Sequence, residues 1–188
     1  MDKRNFKNEF EDIAQTIYYD VDDNLREKTK DPKAVLNFLN QVEELLVNNG
    51  ENSYQLCGIL GNLYRILEKP TRAINYLERA LSIANEERDC AKIAVTLIRL
   101  GEAFKYNEKH QQAMECFDQA IALIHKHKLD NYLDFALQHK GKCLLELKRY
   151  EEAEQYLRKA LKLRKQKKDT ALIDSTEQVL KYMEEIDY

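Results

Sequence analysis

A stretch of 22 residues comes back twice at a fixed interval of 40. "LGNLYRILEKPTRAINYLERAL" (Leu60 to Leu81) is matched by "LGEAFKYNEKHQQAMECFDQAI" (Leu100 to Ile121) and again by "KGKCLLELKRYEEAEQYLRKAL" (Lys140 to Leu161). Gly61, Gly101 and Gly141 align; so do Ala73, Ala113 and Ala153, then Leu77, Phe117 and Leu157, then Ala80, Ala120 and Ala160. Such a period means that one supersecondary unit is stacked repeatedly, because a single unit cannot bury its own apolar face.

Within each copy apolar residues recur at helical spacing, with breaks at Glu68-Lys69-Pro70, Asn107-Glu108-Lys109 and Lys148-Arg149. Each copy therefore reads as two packed amphipathic helices, and Pro70 suits a first helical turn. The glycine lies inside the first helix, where it costs about 1 kcal/mol relative to alanine. The two alanines lie seven apart on one face of the second. Small residues at these places let the two axes approach, and close packing offsets the lost propensity.

Composition agrees with an all-α protein: among 188 residues there are no Trp, five Gly and two Pro. The net charge of -3 is the remainder of 33 acidic and 30 basic side chains, a mixture that fits solvated helix faces better than a nucleic-acid-binding domain. The start, "MDKRNFKNEFED", is charged and lacks the apolar core of a signal peptide, and no later run reaches membrane-spanning length. The expected location is the cytoplasm. Cys57, Cys90, Cys116 and Cys143 form no C-x-x-C and fall in or beside apolar helical patterns, so they read as small buried residues rather than disulfides or metal ligands.

The leucine-glycine pair, the aromatic three residues on at Tyr64 and Phe104, and the alanines flanking a leucine or ring resemble the tetratricopeptide repeat. Three consecutive copies cover about 54–169. The period of 40 rather than the usual 34 is similar to that of kinesin light chains and bacterial peptide-sensing regulators, and Asn85 and His125 stand near the place where many repeats end in proline. The resemblance implies a right-handed superhelical solenoid of antiparallel helix pairs. We expect one continuous domain: repeats at about 52–89, 90–129 and 130–169, a degenerate helical hairpin over 1–51, and a capping helix over 170–188 that presents Leu172, Ile173, Val179, Leu180 and Met183.

In the N-terminal segment, Phe6 to Tyr19 reads as one helix, "DVDDN" (Asp20 to Asn24) as a loop, and Asp31 to Asn49 as a second helix with Leu36, Leu39, Val42 and Leu46 on one face. Residues 1–51 hold 12 acidic against 7 basic side chains, whereas "RKALKLRKQKK" (Arg158 to Lys168) holds seven basic residues and no acid. That run reads as a solvated helix end favoured by the dipole; the alternative is a docking patch for an acidic partner, including self-association with another copy's N-terminal segment.

No catalytic constellation is present: there is no Gly-rich phosphate loop, no H-E-x-x-H, and no nucleophile with a matching base. The two imidazoles of "HKH" (His125 to His127) point to different faces of a helix. The basic run apart, no basic stripe is interleaved with aromatics, so neither nucleic acid nor a cofactor is indicated. The expected function is non-enzymatic.

The resemblance further implies that the first helix of each pair lines a concave groove, at positions set relative to the packing glycine. These are Gln55, Asn62 and Arg65 in the first repeat, Ile98, Arg99, Glu102 and Lys105 in the second, and Phe135, Gln138, His139 and Lys142 in the third. Mixed amide, cationic and carboxylate groups suit an extended peptide or a helix. Cochaperones that clamp a C-terminal carboxylate carry lysines where Gly58 and Phe135 stand here, so that activity is not expected. The reading is an adaptor that binds a protein or peptide segment. Its alternatives are a peptide-responsive regulator that changes curvature and a dedicated chaperone or inhibitor of one cognate protein.

Overall fold

The computed structural model describes residues 3–48 and 53–186. It divides into two compact units, Met1–Ile83 and Ala84–Tyr188.

The first unit opens with α1 (Lys3–Thr16), a two-stranded antiparallel hairpin of β1 (Ile17–Asp20) and β2 (Arg26–Thr29), and α2 (Pro32–Asn48); α3 (Tyr54–Ile66) and most of α4 (Pro70–Glu86) complete it. The helix expected over Phe6 to Tyr19 ends at Thr16, and the expected loop at Asp20 to Asn24 is the turn of a β-hairpin whose strands were not expected. Ile17, Tyr18 and Tyr19 are strand formers, and the Thr16 hydroxyl donates to the Ile13 carbonyl at 2.8 Å, closing the last turn. Ile17 pairs with Thr29 and Asp20 with Arg26. Asp20 then caps a 3-10 turn by accepting from the Asp22 amide, and Asn24 and Leu25 reverse the chain at φ 51° and 56°. A branched-chain residue in that conformation is strained, and what it gains is burial: Leu25 is 1% exposed.

Asp31 accepts from the Ala34 amide and caps α2, ahead of Pro32 at the first helical position. Val35, Phe38, Leu39, Val42 and Leu46 form its buried face, while Leu36, expected on that face, is turned outward and 40% exposed. Phe6 and Phe10 of α1 tilt onto Phe38 with centroids 5.1 and 6.2 Å away. Ser53 caps α3, and Gly61 passes Leu77 so closely that a Cβ would lie 2.5 Å from Leu77 Cγ.

The second unit consists of α5 (Cys90–Tyr106), α6 (His110–His127), α7 (Leu133–Glu146), α8 (Tyr150–Lys167) and α9 (Thr170–Glu185). α5 packs on α6 and α7 on α8, with α6 also against α7 and α9 against α8. Asp89 and Asp169 cap α5 and α9 with their carboxylates. A Cβ on Gly101 would lie 2.5 Å from the Phe117 ring, and one on Gly141 would lie 2.8 Å from Leu157 Cγ. Ala113, Ala120, Ala153 and Ala160 are fully buried. α9 buries Thr176, Val179, Leu180 and Met183, whereas Leu172 and Ile173 stay half-exposed.

The turns repeat as faithfully as the helices. Glu68, Glu108 and Lys148, forty apart, all have positive φ. The next amide bonds back to the carbonyl five residues earlier, as in Lys109 to Phe104 at 2.9 Å, which is the Schellman closure of a helix C-terminus. Arg88, Lys128 and Lys168 form a second left-handed series at the same period.

Candidate partner-binding surface

In the second unit three of the nominated side chains of α5 and α7, Glu102, Lys105 and His139, join His110 and Glu146 in a polar layer. Lys105, fully buried, places Nζ 3.1 Å from Glu102 Oε1 and 3.4 Å from Glu146 Oε1. His139 Nδ1 is 2.9 Å from Glu102 Oε1, and His110 Nε2 is 3.0 Å from Glu146 Oε2. Burial pulls the Lys105 pKa down, but the two carboxylates outweigh it and hold the ammonium well above the ordinary lysine value. Cys143, in the same layer, is pushed up to about 12 by burial and stays a thiol.

Ile98, Gln138 and Lys142 are also buried, Phe135 and His139 are half-buried, and Arg99 is exposed. Gln138, 3% exposed, keeps its Oε1 without a hydrogen-bond donor. Phe135 is flanked by the cations of Arg164 and Lys167 at 5.4 and 5.6 Å. Both also hold the buried Asp134 carboxylate, Arg164 at 3.0 Å.

In the first unit Gln55 is exposed, Asn62 half-buried and Arg65 buried. Arg65 Nη2 donates to Asn62 Oδ1 at 2.7 Å and to Glu27 Oε2 of β2 at 2.5 Å. Elsewhere in this unit Tyr64 and Tyr76 stack at 5.5 Å. Both hydroxyls donate to Glu43 Oε1, at 2.5 and 2.9 Å, beside a cavity of about 290 Å³ that Arg72 and Arg79 also line. Burial, then the Glu43 carboxylate, raises the Tyr76 phenol to about 12.

Sequence reasoning missed Glu27, Glu43, His110 and Glu146. Glu146 carried a signal: the equivalent positions one and two repeats earlier hold Tyr106 and Ile66, so a carboxylate there breaks an apolar pattern. The basic run is largely engaged within the second unit. Besides Arg164 and Lys167 on Asp134, Arg158 pairs with Glu154 at 2.6 Å and Lys165 with Glu177 at 2.8 Å. Among the described residues no cluster of His, Cys, Asp and Glu is placed to hold a metal ion.

Tetratricopeptide repeat family models match residues 55–124 and 136–167, together more than half of the chain. The chain belongs to the tetratricopeptide repeat family. Response regulator aspartate phosphatase A of Bacillus subtilis (strain 168) is 28% identical over 116 residues, which are 62% of this chain and 30% of that protein. The chain thus spans under a third of its curated relative. Among solved structures, the apo form of RapI has a TM-score of 0.65 at 20% identity, covering 82% of this chain and 57% of that one. A kinesin light chain of Podosopora anserina with nearly identical TPR-like repeats has a TM-score of 0.57 at 12% identity, covering 81% and 87%. These likenesses establish the all-α tetratricopeptide fold, and the repeats make the chain a protein-interaction module. No helix among the described residues is long and apolar enough to cross a membrane.

Proposed function

We propose that this module is a non-enzymatic cytoplasmic adaptor and that α5 and α7 hold a segment of a partner protein or a peptide. The observation that carries the reading is the polar layer between these two first helices. Lys105, Glu102 and Glu146 are nearly or wholly buried, although apolar residues of similar volume would hold the helices together at least as well. An ionic layer of this kind is poorly explained as a stability device; it fixes how α5 and α7 sit against each other, and the exposed Arg99 and half-buried His139 beside it are the polar groups offered to a ligand. Gln138 Oε1, buried without a donor, is an acceptor that a peptide N–H would satisfy once the side chain turns outward. Arg99, exposed on α5, supplies a guanidinium for a carboxylate.

The test is affinity purification of the tagged protein from its native cells, with Arg99→Glu and Gln138→Leu variants of unchanged helicity alongside. A partner retained by the parent protein and weakened in both variants is the expected result. Undiminished retention by both variants would remove the site from α5 and α7.

The match to a response regulator aspartate phosphatase favours a second reading, a regulator whose curvature changes when a peptide binds. Small-angle scattering decides between the two: a fall in radius of gyration on adding the captured peptide marks a regulator, and an unchanged curve marks an adaptor. Stoichiometric co-purification of one protein would instead mark a dedicated chaperone.

A further inference from the structure

The β-hairpin occupies part of the α3 face that the resemblance to tetratricopeptide repeats assigns to a partner. Strand β2 lies against α3, with Glu27 Oε2 2.5 Å from Arg65 Nη2 and Lys28 Nζ 3.3 Å from Glu68 Oε1. The Arg65 side chain is only 6% exposed and that of Glu27 is 25% exposed. Lys28 also holds Asp20 and Asp23 at 3.1 and 2.9 Å, which ties the hairpin together internally.

Register along the repeats sets this contact apart. The position one after the glycine is Asn62, Glu102 and Lys142 in the three copies, and the position four after it is Arg65, Lys105 and Leu145. In α5 the cation Lys105 has Glu102 of its own helix at 3.1 Å. In α3 the corresponding position holds the neutral Asn62, whose Oδ1 accepts from the guanidinium, and a carboxylate reaches Arg65 from β2, an extended strand outside the repeat. Taking a carboxylate away from a buried guanidinium is costly, so a partner that displaces Glu27 has to bring a carboxylate of its own.

We propose that the Asn62–Arg65 face of α3 is a binding site for the carboxylate of an extended acidic segment of a partner protein. Glu27 of β2 is its resident intramolecular occupant, and a partner segment binds by taking its place. The proposal extends the segment-binding reading to the first unit. The α5 and α7 variants above leave this face unaltered, so either reading can fail while the other stands.

The probe is a fluorescently labelled synthetic peptide of residues 17–29, added to the full chain and followed by anisotropy. We expect it to bind the Glu27→Gln protein at least about tenfold more tightly than the parent, since a hydrogen bond to a charged group is worth about that factor or more. Arg65→Gln should abolish the gain, and a probe that itself carries Glu27→Gln should lose it too. Equal affinity for the parent and the Glu27→Gln protein, or affinity unaffected by Arg65→Gln, overturns the proposal. A variant-free measurement guards against misfolding. In the parent protein, amide exchange at residues 26–29 should accelerate as the probe saturates, and unchanged protection at saturation overturns the exchange of occupants.

Discussion

Gly101→Ala asks whether the repeat's glycine is a packing residue or only a tolerated defect. In an open helix the substitution would stabilise by about 1 kcal/mol. Here the new methyl would stand 2.5, 2.8 and 2.9 Å from three atoms of the Phe117 ring. These separations lie far inside van der Waals contact. Phe117 is 0% exposed and stacks with His139 at 6.5 Å, so the ring cannot swing away without disturbing its neighbours. Overpacking a close-fitting core costs about 1–3 kcal/mol, which exceeds the propensity gain over most of its range. We therefore expect a net loss of up to about 2 kcal/mol, equivalent to a fall in Tm of up to about 8 °C for a chain of this size. Urea denaturation followed by far-ultraviolet circular dichroism would measure it, with Phe117→Leu and the double variant closing a cycle. The ring predicts a coupling of about 1 kcal/mol or more, the double variant losing less than the sum. A stabilised Gly101→Ala protein, or additive losses, would refute the close approach of α5 and α6.

Lys105→Met leaves Glu102 and Glu146 buried without their shared ammonium, and the loss should reach about 3–5 kcal/mol in chemical denaturation; Glu102→Gln in the same background should recover part of it. Glu108→Gly relieves a left-handed backbone position (φ 57°) and should stabilise by about 1 kcal/mol in the same assay. Stability should fall as pH rises. The Cys143 thiol goes from its ordinary value of 9.0 to about 12 on folding and the Tyr76 phenol from 10.0 to about 12. Above about pH 9 the unfolded chain therefore loses protons that the folded chain keeps, and unfolding is favoured until the pH passes about 12. Melting temperatures between pH 8 and 11 would show this, and Cys143→Ala should flatten the early part of the decline.

The repeat and its helix-pair reading were legible in the chain because each copy carries the same packing chemistry. A small residue on one helix faces a large one on the next, and polar turns recur at one period. Leu36 shows the limit of that legibility, since one residue of drift around α2 exchanges it with Val35 and Phe38. The hairpin was harder to see. "TIYYDVDDNLREKT" has strand formers, but its stability depends on seating Leu25 in the core and Glu27 on Arg65, and both are contacts with distant parts of the chain.

The amino-acid sequence by itself determined the all-α class, the tetratricopeptide repeat and the helix pairing, because propensity, periodicity and small-residue placement are local and each copy repeats them. Only the tertiary structure decided which polar side chains meet. Glu102, Lys105 and Glu146 are buried together with two half-buried histidines at their edge, and Glu27 answers Arg65 across 38 residues. Electrostatic partners are chosen by proximity in three dimensions, and a charge in a sequence does not say which opposite charge the fold will bring to it.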